Sequence, residues 1–202
     1  DNRETNLLSD NLQEPLYYRV ETPFFRVYLR RDSGILVSCF DKRSGRELVG
    51  FGMRRGSDYL DTARADLALN VLQFEEEHPH GMSSWHMDEV HTTHSLLRGA
   101  VTRLVETGPA RLVFSVEHHL RASTIRQEIS FYRDLPRVDF RIAVDWQELG
   151  SPQAGVPSLK VAFTARLNES EAWFETPFAA VQRPCDGQEV NALRWADVGG
   201  AA

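Results

Sequence analysis

Residues Ser123–Phe163 read STIRQEISFYRDLPRVDFRIAVDWQELGSPQAGVPSLKVAF, and their alternation decides the fold class. Ile125, Ile129 and Phe131 point one way, while Arg126, Glu128 and Tyr132 point the other. Val138, Phe140, Ile142, Val144 and Trp146 form a second apolar row, with Asp139, Arg141, Asp145 and Gln147 on its opposite face. Leu159, Val161 and Phe163 begin a third. Successive side chains of a strand face opposite sides, so each row reads as the buried face of a half-exposed strand. Arg133-Asp134-Leu135-Pro136 supplies a turn for an antiparallel hairpin. Leu149 to Ser158, rich in Gly and Pro, reads as a loop. The expectation is a meander of three antiparallel strands with one wet face.

Working outward, the same pattern recurs upstream. Phe25, Val27 and Leu29 alternate with Arg26, Tyr28 and Arg30, and Arg31-Asp32-Ser33-Gly34 makes a turn in which Gly can take the left-handed conformation. Ile35, Val37 and Cys39 are expected to form the returning face, and Asp41-Lys42-Arg43-Ser44-Gly45 a second polar turn. Gly50 to Arg64 has no clear period and reads as a loop. Val101 to Leu120 alternates around a Gly108-Pro109 turn, with Leu112, Phe114 and Val116 inward. His118 and His119, being adjacent on a strand, are expected to face opposite sides. Strand-turn-strand at this spacing indicates an all-β sandwich.

Several of these stretches, in order, resemble one family. TIRQEISFYRDLPRVDFRIAVDWQE followed by LKVAF is similar to the C-terminal β-domain of glycoside hydrolase family 38, the retaining α-mannosidases. FFRVYLRRDSGILVSCFDKRSGRELV resembles that family's opening hairpin, and HPHGMSSW a segment of bacterial members. FETPFAAVQRP followed by ALRWADV resembles its later strands. The resemblance runs from Tyr17 to Val198. It implies an antiparallel supersandwich of the galactose mutarotase type. It also implies a parent enzyme that hydrolyses α-mannosidic bonds with retention, with a zinc ion and an aspartate nucleophile held in an N-terminal catalytic domain. The chain is then expected to be a fragment: residues 1–14 a linker, residues 15–202 the sandwich. Its partners would be that catalytic domain and an α-mannoside, and an unpaired sheet edge would favour a homo-oligomer.

Composition sets further bounds. The 202 residues are 42% hydrophobic and 26% charged, an ordinary globular make-up. A net charge of −6 argues against a nucleic-acid partner, since such binders carry a basic face. No apolar run is long enough to cross a bilayer, so no membrane partner is expected. Cys39 and Cys185 read as free thiols of a reducing compartment, a bacterial cytoplasm on the resemblance.

The most chemically loaded segment runs from Glu75 to His94. It holds five of the seven histidines, His78, His80, His86, His91 and His94, beside Glu75, Glu76, Glu77, Asp88 and Glu89. Imidazole and carboxylate suit zinc, but no spacing here matches a zinc pattern, so no metal ligand is assigned within the chain. An aromatic face stacks on a pyranose while charged acceptors bind its hydroxyls. Glu75, His80 and Trp85 are therefore the candidates for substrate contact. Asp139, Asp145 and Glu148 read as a solvated strand face. A retaining glycosidase needs two carboxylates about 5 Å apart, and by resemblance those belong to the catalytic domain. No catalytic residue is assigned within this chain. Trp146, Trp173 and Trp195 read as core or inter-sheet packing. A stand-alone carbohydrate-binding module and a mutarotase-like epimerase are the alternatives.

Overall fold

Alternation of this kind can bury a sheet face only against a second layer, and the chain supplies one. The computed structural model describes residues 8–9, 16–49, 68–82, 89–153, 155–186 and 189–201. It divides into two compact units, residues 1–165 and 166–202. The first carries β1 (Leu8–Ser9), β2 (Tyr17–Glu21), β3 (Phe25–Arg30), β4 (Leu36–Asp41), β5 (Arg46–Glu47), β6 (Leu69–Glu77), β7 (Val90–Ser95), β8 (Val101–Thr107), β9 (Arg111–Leu120), β10 (Ser123–Tyr132), β11 (Val138–Asp145) and β12 (Val156–Phe163). One sheet has the order β1-β2-β3-β4-β6-β12, with β5 on β4 and β7 on β6, and the other the order β11-β10-β9-β8. Every pairing is antiparallel. Among the described residues there is no α-helix. The expected all-β, antiparallel sandwich is what the chain forms.

The core lies between the two sheets. Val20, Val27, Leu29 and Leu36 of the larger sheet meet Leu112, Phe114, Val116, Ile129 and Phe131 of the smaller. Tyr18 reaches across to Phe114 at 4.8 Å between ring centroids. Each fully buried side chain of this kind stabilises by roughly 1.5–3 kcal/mol. A buried amide pair also bridges the sheets: Gln127 Nε2 donates to Asn70 Oδ1 at 2.9 Å, and Asn70 Nδ2 donates to the Gly34 carbonyl at 3.0 Å. His118 is buried and shares a hydrogen bond of 3.0 Å with the Ser33 carbonyl, while His119 on the other face is exposed.

Three expectations require correction. The third apolar row does not extend the meander. β12 pairs with β6, Leu159 opposite Phe74 and Val161 opposite Leu72, in the larger sheet. Gly155 allows the transfer: at φ +83° it brings its backbone so close to β6 that a Cβ there would stand 2.5 Å from the Glu77 carbonyl oxygen. The loop also ends earlier than expected, because β12 starts at Val156 and includes Pro157. Proline is tolerated there since β12 ends the strand order of its sheet, leaving one ladder without a partner. Thirdly, the returning face of β4 is split. Tyr28 pairs with Ser38 and Leu29 with Leu36, so Val37 is an extra residue, a bulge. Leu36 and Cys39 thereby enter the main core, whereas Ile35 and Val37 pack with Ala68 and Val71 in a separate small cluster.

The linker expected over residues 1–14 falls outside the described residues except Leu8–Ser9, which pairs with β2. The loop expected over residues 50–64 lies outside them as well. The second unit is a three-stranded antiparallel sheet, β13 (Asn168–Thr176), β14 (Ala179–Arg183) and β15 (Ala196–Ala201), in the order β14-β13-β15.

Candidate functional site

Strand β6 is the element on which the candidate residues converge. It lies between β12 on one side and β7 with the start of β4 on the other. Its even-numbered positions face the smaller sheet. The Phe74 ring lies 6.2 Å from Trp146 and has the Arg121 guanidinium 4.4 Å above its centroid. Arg121 continues to Glu76 at 2.9 Å, tying the two sheets together. The odd positions, Gln73, Glu75 and Glu77, face away from that core.

On this outer face the side chains are polar and closely matched. Gln73 donates to the Ser95 hydroxyl at 3.1 Å. Glu75 is only 7% exposed and meets Lys160 Nζ of β12 at 2.6 Å through one carboxylate oxygen. Thr93 of β7 approaches the other oxygen at 3.5 Å, the limit of a hydrogen bond. Glu77 is 4% exposed and holds His80 Nε2 at 2.8 Å. The Met82 amide donates to His80 Nδ1 at 3.2 Å, so both imidazole nitrogens are engaged. A histidine held in this way fixes the turn after β6.

Of the candidates for sugar contact, the structure places Glu75 and His80 on one polar patch, with Glu77 joining them. Trp85 lies outside the described residues. Glu77, Thr93 and Lys160 are patch residues that sequence reading missed. The opposite charges of Glu75 and Lys160 are a weak signal, and only the β6–β12 register makes them neighbours.

The remaining histidines of the segment have other company. His78 stacks on His91 at 4.3 Å, and His94 lies 6.5 Å from Phe74. Among the described residues, no three His, Cys, Asp or Glu side chains come together as a metal centre requires. The zinc ion that the resemblance implies for a parent enzyme therefore has no such ligand set among the described residues, and no step is assigned to it here. Carboxylates of the β10–β11 region each have a local partner. Asp139 is bound by Tyr132 and Arg137, Asp145 by Gln147, and Glu148 by Ser123. Trp146 packs between the sheets as expected, but Trp173 and Trp195 are exposed rather than packed.

Fold and patch together define an all-β domain whose distinctive feature is a buried polar sheet face and not a catalytic constellation among the described residues. Residues 20–201 match the family described as the glycosyl hydrolases family 38 C-terminal domain, and the chain belongs to it. A comparison with curated proteins found no match. The parent protein is accordingly a glycoside hydrolase with a catalytic domain besides this one.

Proposed function

We propose that this chain is the C-terminal β-sandwich domain of a retaining α-mannosidase of a bacterial cytoplasm, where it supports the catalytic domain and forms one wall of the sugar cleft. The observation that carries this reading is the outer face of β6. Two carboxylates almost without solvent access, Glu75 and Glu77, are pre-paired with Lys160 and His80. Isolated charges of that kind are costly to bury, and pairing within a fixed register offsets the cost. A face whose carboxylates already have hydrogen-bonding partners can be covered by a second domain without leaving either group unpartnered, and its rim can present fixed donors and acceptors to sugar hydroxyls. The aspartate nucleophile, the acid/base carboxylate and the zinc then belong to the catalytic domain. In a retaining hydrolysis the first forms the glycosyl-enzyme and the second shuttles the proton.

Two measurements test this. The 202-residue chain alone is assayed on an aryl α-mannoside, with and without added zinc. No turnover above a heat-denatured control is expected, and zinc-dependent turnover that survives further purification would overturn the assignment. In the parent enzyme, Glu75→Gln and Thr93→Ala are expected to raise KM by about threefold to tenfold with kcat within about twofold, as for lost uniform binding. Kinetics unchanged in both variants would remove the patch from the cleft.

A further inference from the structure

The second unit carries an aromatic that its own alternation does not explain. On β13 the even positions Ala172 and Phe174 share a face with Val181 of β14 and with Ala196 and Val198 of β15, and with Arg183, which stands opposite Ala172 and lays its guanidinium 5.6 Å from the Phe174 ring centroid. Trp173 belongs to the other face. Directly opposite it stand Gln182 on β14 and Asp197 on β15. Glu171, two residues back along β13, shares that face. All three polar residues are exposed, and Trp173 itself is 41% exposed. A tryptophan serving the core of this small sheet would sit with Phe174. This one sits at the centre of the polar face.

We propose that this face of the three-stranded sheet is a carbohydrate-binding platform that takes a hexopyranose on the Trp173 indole with Gln182 and Asp197 binding its hydroxyls. The chemistry follows from the register. Cross-strand neighbours have Cβ atoms about 4.5–5.5 Å apart, so an amide and a carboxylate flank the ring on both sides. A pyranose has an apolar C–H face that can lie on an aromatic and a rim of hydroxyls, each both donor and acceptor. Gln182 offers both functions and Asp197 accepts. The central strand keeps the ring in place and the two neighbours fix the sugar's orientation. Gly199 faces Glu171 across the β13–β15 ladder, and nothing lies within 4 Å of where a Cβ would stand there. That leaves open floor for a second sugar unit beside the first. On this face Arg194 is offset by its ion pair with Glu175, so Glu171 and Asp197 leave the surface negative, which repels phosphate-bearing ligands and favours a neutral glycan.

The test uses the 202-residue chain in affinity electrophoresis through gels containing soluble α-mannan, β-glucan or galactan, with methyl α-D-mannopyranoside as competitor in the α-mannan gel. Retardation in at least one gel is expected. Trp173→Ala should weaken it by about tenfold or more, and Trp173→Phe by much less because an aromatic face remains. Asp197→Ala, which keeps the indole, should weaken it to an intermediate degree. This variant decides the matter if Trp173→Ala lowers the unfolding temperature. Absence of retardation in all three gels, or retardation unchanged in Trp173→Ala and Asp197→Ala, overturns the proposal. Retardation in the gels is read without any hydrolysis, so the platform can fail without the cleft assignment failing, and the reverse.

Discussion

Gly34→Ala is the most direct probe of how the two sheets are held together. Gly34 closes the turn between β3 and β4 at φ +71°, and a Cβ added there would stand 2.6 Å from Val116 Cγ2 and 2.8 Å from Cγ1. Val116 is fully buried in the main core, so it has no open space to retreat into. Two costs add. A non-glycine residue in the left-handed region costs roughly 1–2 kcal/mol. Overpacking a filled core costs roughly 1–3 kcal/mol. The expected loss is therefore about 2–5 kcal/mol in urea unfolding, followed by far-UV circular dichroism and tryptophan fluorescence. Val116→Ala alone removes two methyl groups and leaves a cavity, at about 2–3 kcal/mol. In the Val116→Ala background the two closest methyls are gone and only the Cβ of residue 116 remains, 3.1 Å away, so Gly34→Ala should then cost the backbone strain and a smaller residual contact. The double-mutant cycle should show the pair less destabilising than the sum by about 1–3 kcal/mol. Strict additivity would refute the contact, and a wild-type urea midpoint for Gly34→Ala would refute both parts of the argument.

Other expectations are as direct. Arg30 is 1% exposed and its Nε and Nη2 donate to the two oxygens of Asp32, so Asp32→Asn should destabilise by about 2 kcal/mol, less than a fully buried pair because Asp32 is partly solvated. Burial holds the His118 imidazole below its ordinary value of 6.5, although its bond to the Ser33 carbonyl opposes the shift. The unfolded chain then binds the proton first, so stability should fall as the pH drops below about 6.5 and level off below the lowered folded value. His118→Gln should flatten the unfolding midpoints between pH 7 and pH 5, and parallel curves for the two proteins would contradict this. Desolvation pushes the buried Cys39 thiol up to about 12, while Cys185 is exposed. A thiol reagent at pH 8 should therefore label one cysteine rapidly, at Cys185, and the second only on unfolding; rapid labelling of both would show that Cys39 is accessible.

Much of the fold could be read from the sequence because alternation states which face of a strand is covered. Ile125, Ile129 and Phe131 are buried as their spacing requires, and the Arg133–Pro136 turn does join β10 to β11. The Val138–Val144 row does point inward, opposite Phe131, Ile129 and Ile125, yet Val144 remains 41% exposed because β11 is an edge strand. Alternation says nothing about which strand is the neighbour. Leu159, Val161 and Phe163 would suit either sheet by pattern, and what assigns them to β6 is the close approach at Gly155. The β4 bulge was hidden for a related reason, since an extra residue reverses the faces beyond it without altering composition. Trp173 was misread because an aromatic on a strand is normally a core residue; only the side-by-side register with Gln182 and Asp197 shows it on the polar face.

The candidate site shows the same division more sharply. Glu75 and His80 were visible because carboxylate, imidazole and proline crowd one short stretch. Lys160 was not, being 85 residues further along, the difference between 160 and 75. The pair they form is a poor source of stability, since desolvating two charges offsets most of their attraction. Its value lies in what it forbids. On β12 Lys160 stands opposite Gln73, diagonal to Glu75, while Leu159 and Val161 stand opposite Phe74 and Leu72. A one-residue slip of β12 would exchange the faces of all these side chains. It would put the ammonium beside Phe74, in the core between the sheets, and an aliphatic side chain against the Glu75 carboxylate. Both consequences are expensive, so the ion pair and the apolar row together admit one register. That register aligns the outer face of β6, and with it the surface on which, in the function proposed above, a catalytic domain rests.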